Sequence, residues 1–516
     1  MLDAFRFIFP FHRLVGRSLT RATGERGQNN RAGALRALIS ARQWQQRPAP
    51  REFFPNVLAH TMGQKQSAEG AAPAPYLRGP ALQHALELER LQIAEEKKKV
   101  DERREGDIRS CGEFGATIAS MTSSGTENET KTDAKITRLP RSTKRNGRFV
   151  IDTELFPDWV DHISDVSGVF KWKWGMRGKT APMPSAAELD KLLPVRMPDA
   201  DALASPPAGA AQVTWLGHAS CLVQWEGWTV LADPIFSERC SPMQWAGPKR
   251  VRPSPIQVDA LPPVDAIVIS HNHYDHLDLG TVRDLLEQQP GATFFVPLGM
   301  KAWFEEARSG GSENVVEMDW GEEVVLRDED VIRSVSNEDD GECTSTDPSS
   351  SSFTVKQRPP LTVVCVPCQH WCKRTPTDTN QCLWSSWIAK TDNLTYFFGG
   401  DTGYCGDVFK MTGDLYPVDL SAIPIAAYGV PEERWFHKPN HMNPEEAVQC
   451  HIDLRSKQSV GVHWGTFQLT GEHIMEPPRR LKDAAKMAGL DENEFVTLEH
   501  GESRTFDVVR KDTVEI

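Results

Sequence analysis

No stretch of this 516-residue chain approaches the roughly 20 consecutive apolar residues that a membrane-crossing helix needs, so any contact with a bilayer is expected to be peripheral. Positive charge is also scarce. Lys and Arg number 58 against 71 Asp and Glu, a formal net charge of −13, which argues against a general nucleic-acid binder, since that work needs clustered cations. The ten cysteines show neither paired zinc-finger spacing nor the framework of a small secreted domain. Cys365, Cys368 and Cys372 crowd around His370, but Cys382 and Cys405 do not supply the second pair that a structural zinc knot requires. Reduced, unpaired thiols of an intracellular protein are the better reading. No internal repeat stands out.

Packable residues are missing from the front of the chain. Residues 1–50 carry Arg6, Arg13, Arg17, Arg21, Arg26, Arg31, Arg36, Arg42 and Arg47 against only Asp3 and Glu25. Two readings stand for this segment: an organelle transit peptide, mitochondrial or plastid, or a disordered basic tail. Residues 51–145 read as a mostly disordered linker with one charged helix, ALQHALELERLQIAEEKKKVDERR, from Ala81 to Arg104. Residues 146–510 read as one catalytic domain. Its 334–358 segment, which includes the polar patch SVSNEDDGECTSTDPSSSSF, is expected to be a disordered surface insertion.

What the rest of the chain does have is a succession of short β-rich runs separated by turn signals: QVTWLGHASCLVQW, WTVLADP, AIVISHNH, TFFVPLG, LTVVCVP, SSWIAKT, LTYFFGGDTG and SVGVHWGT. Amphipathic helical stretches lie between some of them. One opens Asn443-Pro444-Glu445-Glu446, an N-cap followed by proline at the first helical position and acids in the first turn. Strands in succession with helices on the outer faces predict an α/β domain of two sheets sandwiched between helices.

The strongest chemical signal is Ser270-His271-Asn272-His273-Tyr274-Asp275-His276, directly after the apolar run AIVIS. Imidazole and carboxylate are suitable ligands for zinc, iron or manganese. In an extended segment alternate side chains point the same way, so His271 and His273 are expected to grip one ion, with Asp275 and His276 serving a second after the chain turns. These four cannot complete two coordination shells. His370 after LTVVCVP, Asp401 in GGDTG and His463 after SVGV each sit where an apolar run stops, the place where a rigid scaffold presents a ligand to a shared cleft.

H-x-H-x-D-H, then His, then Asp in a GDTG turn, then His resembles the metallo-β-lactamase fold superfamily, whose αββα four-layer sandwich is therefore the expected fold. TWLGHASCLVQ, LADPIFSERCSP, GPKRVRPSPI, ISHNHYDHLD, QHWCKRT, FFGGDTGYC, ERWF, HMNPEEAVQCH, VHWGTFQL and HGES narrow the likeness to the N-acyl-phosphatidylethanolamine-hydrolysing phospholipase D family, from about Gly147 to Phe506. The resemblance implies two zinc ions per chain that share a hydroxide. His271, His273 and His370 would hold one, Asp275, His276 and His463 the other, and Asp401 would bridge them. It further implies hydrolysis of N-acyl-phosphatidylethanolamine to N-acylethanolamine and phosphatidic acid, and a homodimer. Asp275 and Asp401 are expected to orient the nucleophile, and His441 to move a proton on the substrate side. Asp233, in WTVLADP, is expected to orient a ligand histidine or to cap a turn; His218, in LGHAS, either lines the cleft or is structural, and the structural reading is favoured.

The expected partner is a phospholipid at a membrane surface, on an intracellular membrane. Candidate contacts are Trp245, Lys249, Arg250 and Arg252, an interfacial aromatic beside cations, and Met300, Trp303 and Phe304 at near-helical spacing, although ordinary packing with solvated charges is slightly favoured for both groups. The same site also suits another phosphodiester, an ester or a lactone, because fold and metals do not fix a substrate. A non-catalytic binding protein would be expected to have lost ligands, and here every expected position is filled.

Overall fold

The computed structural model describes residues 138–160, 180–308, 314–328 and 358–507. The readings for residues 1–137, and for nearly all of the 334–358 insertion, lie outside them. A short ribbon, β1 (Thr143–Arg145) and β2 (Arg148–Val150), opens the described chain. The strand-forming runs then build two seven-stranded sheets.

In the first sheet β3 (Ala210–Gly217), β4 (Ser220–Trp225) and β5 (Trp228–Ala232) form an antiparallel meander. β6 (Ala266–Val268), β7 (Thr293–Pro297) and β8 (Val315–Met318) continue it in parallel, and β16 (Ser503–Asp507) pairs with the free edge of β3. The second sheet reverses that plan. β9 (Glu323–Leu326), β10 (Leu361–Val366), β11 (Ser386–Lys390) and β12 (Thr395–Phe398) are antiparallel, while β13 (Leu420–Pro424), β14 (Gln458–Val462) and β15 (Phe495–Val496) extend β12 in parallel.

Residue alternation explains the layering. On β4 and β5, Cys221, Val223, Trp225, Val230 and Ala232 belong to the core shared with the second sheet, whereas Leu222 and Leu231 face a separate core. That second core also contains Val282 and Leu285 of the helix Leu279–Gln288 and Phe304 of the helix Lys301–Arg308. Successive side chains of a strand point to opposite faces, and here both faces are buried, which is why the strands read as near-continuous apolar runs. On the far side, Val408, Phe409, Ala447, Val448 and Leu481 bring the helices Gly406–Leu415, Pro444–Asp453 and Glu476–Ala488 into the core of the second sheet. The result is the expected αββα sandwich. The Asn443 cap is present as read, with its side chain accepting from Glu446 N and Glu446 reaching back to Asn443 N.

The functional consequence lies at one edge. Strands β10, β12, β13 and β14 run the same way, as do β5 and β6, so the residues following each of them emerge together. All described cysteines are free, and Cys365, Cys368 and Cys372 are buried. Burial pushes their thiols well up, and among the described residues none of them joins a group of donor atoms that could hold an ion.

Asp328 and Arg358, the described residues on either side of 329–357, are joined to each other. Arg358 donates through Nε to Asp328 Oδ1 at 2.5 Å and through Nη1 to Asp265 Oδ1 at 2.9 Å, with its guanidinium 3.9 Å from the Trp228 ring. Replacing residues 330–356 by a short Gly-Ser turn is therefore expected to leave the urea midpoint unchanged. Arg358→Ala should lower stability by about 1–3 kcal/mol, because it removes the cation that joins the Asp265 and Asp328 carboxylates. A large loss from the deletion would refute the junction as a self-sufficient anchor.

Candidate metal centre

The site is built from backbone that the strands release abruptly. β5 ends at Ala232 and Asp233 takes φ +36°; β14 ends at Val462 and His463 takes φ +64°; His218, past the end of β3, takes φ +54°. Non-glycine residues rarely occupy this region, and it persists only where surrounding structure holds it. His463 N donates to His218 O at 2.8 Å, and His218 N to Thr466 Oγ1 at 2.5 Å. Before Asp401, Gly400 at φ +58° packs so closely on Ser270 that a Cβ would lie 2.5 Å from the Ser270 Cβ. Only glycine fits there.

Two groups of ligand atoms result. In the first, His271 Nε2 lies 2.7 Å and His370 Nε2 3.2 Å from His273 Nδ1. In the second, Asp275 Oδ2 lies 3.4 Å from His276 Nε2 and 3.5 Å from His463 Nε2. Asp401 stands between them. Its Oδ2 is 3.1 Å from His276 Nε2 and 3.9 Å from both His271 Nε2 and His370 Nε2, and its Oδ1 is 3.0 Å from His463 Nε2. All seven residues predicted from the sequence are thus brought together. One geometric expectation is corrected. His271 and His273 do not meet through strand alternation, since β6 has ended and the chain is already bending at His273.

The residues behind the site decide which nitrogens face inward. Asp233 Oδ2 takes His276 Nδ1 at 2.6 Å, and Ser270 donates to Asp233 through both N and Oγ. His271 Nδ1 lies 2.9 Å from Ser270 Oγ, and His370 Nδ1 3.2 Å from Asn440 O. Three rings are therefore fixed with Nε2 toward the centre, the arrangement in which an outer oxygen sets a ligand's tautomer. Asp233 does more than cap a turn. His218, read as structural, instead puts Nε2 3.0 Å from Asp275 Oδ2 with its ring 4.1 Å from that of His463. It follows a strand end just as the other site residues do, and that was the available signal.

Burial and mutual charge complete the picture. Burial pushes His271 well down, His273 to about 4 and His370 to about 3, leaving neutral imidazoles with free lone pairs. Burial alone would raise Asp275 and Asp401, but the surrounding histidines hold both well below the usual carboxylate range. Burial opposes charge on His276 and His463 too, yet Asp401 and Asp275 outweigh it, taking His276 well up and His463 to about 9. The two Nε2 atoms face each other at 3.2 Å, so the pair retains a proton in the metal-free protein. Ring nitrogens aimed at one another around an anionic carboxylate are a donor set that fits a divalent cation.

His441 lies at the rim, partly exposed, with Nδ1 3.8 Å from Asp401 Oδ2 and its ring 5.4 Å from that of His370. Five expected lipid contacts are corrected. Met300 and Phe304 are each 1% exposed, in the core beneath the Lys301–Arg308 helix. Arg250 is buried, donating to Ser237 O and Ile235 O, and Trp303 is half-buried beside Arg374. Arg252 is mostly covered and paired with Asp190 at 2.8 Å. Trp245, 77% exposed, and Lys249, paired with Glu238, remain on the surface.

The sequence model of a family described as "Beta-lactamase superfamily domain" matches residues 228–464. A Caenorhabditis elegans protein named N-acyl-phosphatidylethanolamine-hydrolyzing phospholipase D 1 is 37% identical over 363 residues, 69% of this chain and 92% of that protein. A Saccharomyces cerevisiae protein of the same name, called mitochondrial, is 32% identical over 57% of this chain and 56% of its own length. An uncharacterized protein of Mycobacterium tuberculosis is 40% identical over 54% of this chain and 65% of its own length. Fold and site together define a metal-dependent hydrolase of the metallo-β-lactamase superfamily. Within that class, the chain belongs to the N-acyl-phosphatidylethanolamine-hydrolysing phospholipase D family.

Two outcomes follow. Asp233→Ala should weaken metal binding about 10- to 100-fold by freeing the His276 ring, measured by competition with a chromophoric chelator; unchanged affinity would remove Asp233 from the site. Metal must also displace the proton held by His276 and His463, so uptake should release about one to two protons and tighten as pH rises. In the metal-free protein the raised His463 value contributes stability below its unfolded value, which is lost as pH rises through about 9. Calorimetry in buffers of different ionisation enthalpy reads the release, and a binding enthalpy independent of buffer would contradict it.

Proposed function

We propose that the chain is a zinc-dependent phospholipase D that hydrolyses N-acyl-phosphatidylethanolamine to N-acylethanolamine and phosphatidic acid. The observation that carries this reading is the pair of ligand groups joined by Asp401, taken with the family membership. In this reading His271, His273 and His370 would hold one zinc and Asp275, His276 and His463 the other, with Asp401 placed to serve both groups. When bound, two such ions supply acidification of water at neutral pH and compensation for charge on phosphoryl oxygens.

The chain's own groups do the rest. Asp275 and Asp401, ionised and fixed from behind, accept hydrogen bonds from the attacking water and aim it at phosphorus. A bond forms from the water oxygen to phosphorus as the bond from phosphorus to the ethanolamine oxygen breaks. His441 Nδ1 is buried without a hydrogen-bond partner, and burial keeps its imidazole neutral, which suits it to take the water's proton and pass it to the departing oxygen. No serine or cysteine nucleophile is needed. Trp245 and Lys249 are the remaining candidates for contact with a phospholipid surface. Among the described residues no helix is long and apolar enough to cross a membrane. The Arg-rich first 50 residues and the mitochondrial name of the yeast relative favour a mitochondrial setting.

The test is product analysis by mass spectrometry, with the zinc-loaded full chain acting on mixed micelles of N-acyl-phosphatidylethanolamine and phosphatidylcholine. N-acylethanolamine plus phosphatidic acid, abolished by chelator, is the expected result. Asp401→Asn should cost at least about a hundredfold in kcat. His441→Gln should cost about a hundredfold or more with metal content intact. A metal-loaded chain that leaves the lipid unchanged would move the reading to another phosphodiester, an ester or a lactone.

A further inference from the structure

The ligand run His271–Leu277 has little structure of its own. Its internal backbone bonds are His276 N and Leu277 N to His273 O, at 3.1 and 2.9 Å. Such a short loop cannot by itself hold ligand side chains to the tolerance a metal demands.

One side chain takes up carbonyls near both ends of the run. Arg374 Nη1 donates to Asn272 O at 3.1 Å and to Leu277 O at 2.7 Å. Its guanidinium lies 4.1 Å from the ring of Tyr274, in the middle of the run, and 5.1 Å from that of Trp303. Tyr274 returns a bond, Oη to Arg374 O at 3.0 Å. Arg374 is held in turn, since its backbone N donates to the Asp378 carboxylate at 3.0 and 3.2 Å, which also takes Thr375 N at 2.8 Å. Arg374 follows His370 on the same loop beyond β10.

We infer that Arg374 is a positioning residue for the metal centre, an inference that rests on the reading of His271, His273 and His370 as one metal site. It bridges the His271–Leu277 run to the loop carrying His370, and so sets the gap between the two loops that supply this group. The other group has separate anchors: Asp233 holds His276, His218 holds Asp275, and His463 comes from the end of β14. Loss of Arg374 therefore falls first on the group of His271, His273 and His370.

The experiment strips the full-length chain with chelator and titrates zinc back against a chromophoric competitor, for wild type, Arg374→Met, Arg374→Lys and Tyr274→Phe. Wild type should fill two resolvable sites. Arg374→Met should lose about 10- to 100-fold in affinity at one site and stay within a few-fold at the other. Arg374→Lys should recover part of the loss, because an ammonium reaches one carbonyl but neither bridges two nor stacks as a planar fork does. Tyr274→Phe, which keeps the ring and removes the return bond, should lose less at the same site. Native affinity in all three variants, or a loss shared equally by both sites, would overturn the inference. If Arg374→Met fails to fold by urea titration, Arg374→Lys and Tyr274→Phe decide by the same criterion. A wild-type chain that takes up no zinc would overturn the metal-centre reading itself, an outcome distinct from variants that match a zinc-binding wild type.

Discussion

A carboxylate surrounded by imidazoles in a buried place sets the terms for the rest of this molecule. Asp401 is 2% exposed and lies within 4 Å of ring nitrogens from His271, His276, His370, His441 and His463. Burying one charge without compensation costs several kcal/mol, and burying histidine nitrogens lone pair to lone pair is also unfavourable. Neither problem is soluble with apolar neighbours. A shared proton relieves them in the metal-free protein, and a divalent cation suits the same geometry better. The chain holds its rings ready for that cation by directing their Nδ1 atoms to Asp233, Ser270 and Asn440.

The sandwich makes such an arrangement affordable. Two sheets fill the centre with aliphatic and aromatic residues on both faces, giving the strand ends a rigid base. Backbone at Asp233, His218 and His463 departs from the sheets in the left-handed region, which costs of order 1–3 kcal/mol per residue. Packing elsewhere must supply that energy, and the loops are further pinned by side chains such as Thr466 and Arg374. The chemistry is thus confined to irregular segments whose positions are fixed by regular ones.

The cluster of donor residues itself was legible. Histidine and aspartate at tight spacing after an apolar run, and single residues where later runs stop, are the pattern that a metal demands. The layered α/β fold was legible from the succession of short apolar runs with amphipathic stretches between them, since strands buried on both faces read as near-continuous apolar runs. Met300 and Phe304 misled, because near-helical apolar spacing fits a buried helix face as well as a lipid-facing one. Arg250 misled because basic residues in a row look like a surface, and only its carbonyl partners at Ser237 and Ile235 reveal a buried guanidinium. His218 carried only its place after a strand end, and Arg374 carried no local signal that separates it from ordinary polar residues.

The sequence by itself therefore determined the donor chemistry, the strands that present it and the family to which the chain belongs, because residue type and period are local properties. Tertiary structure alone decided which ring nitrogen each histidine offers and which cations are buried. Those facts depend on contacts between residues tens to hundreds of positions apart, such as Asp233 with His276, Arg374 with Leu277 and His276 with His463. Spacing along the chain carries no record of such distances.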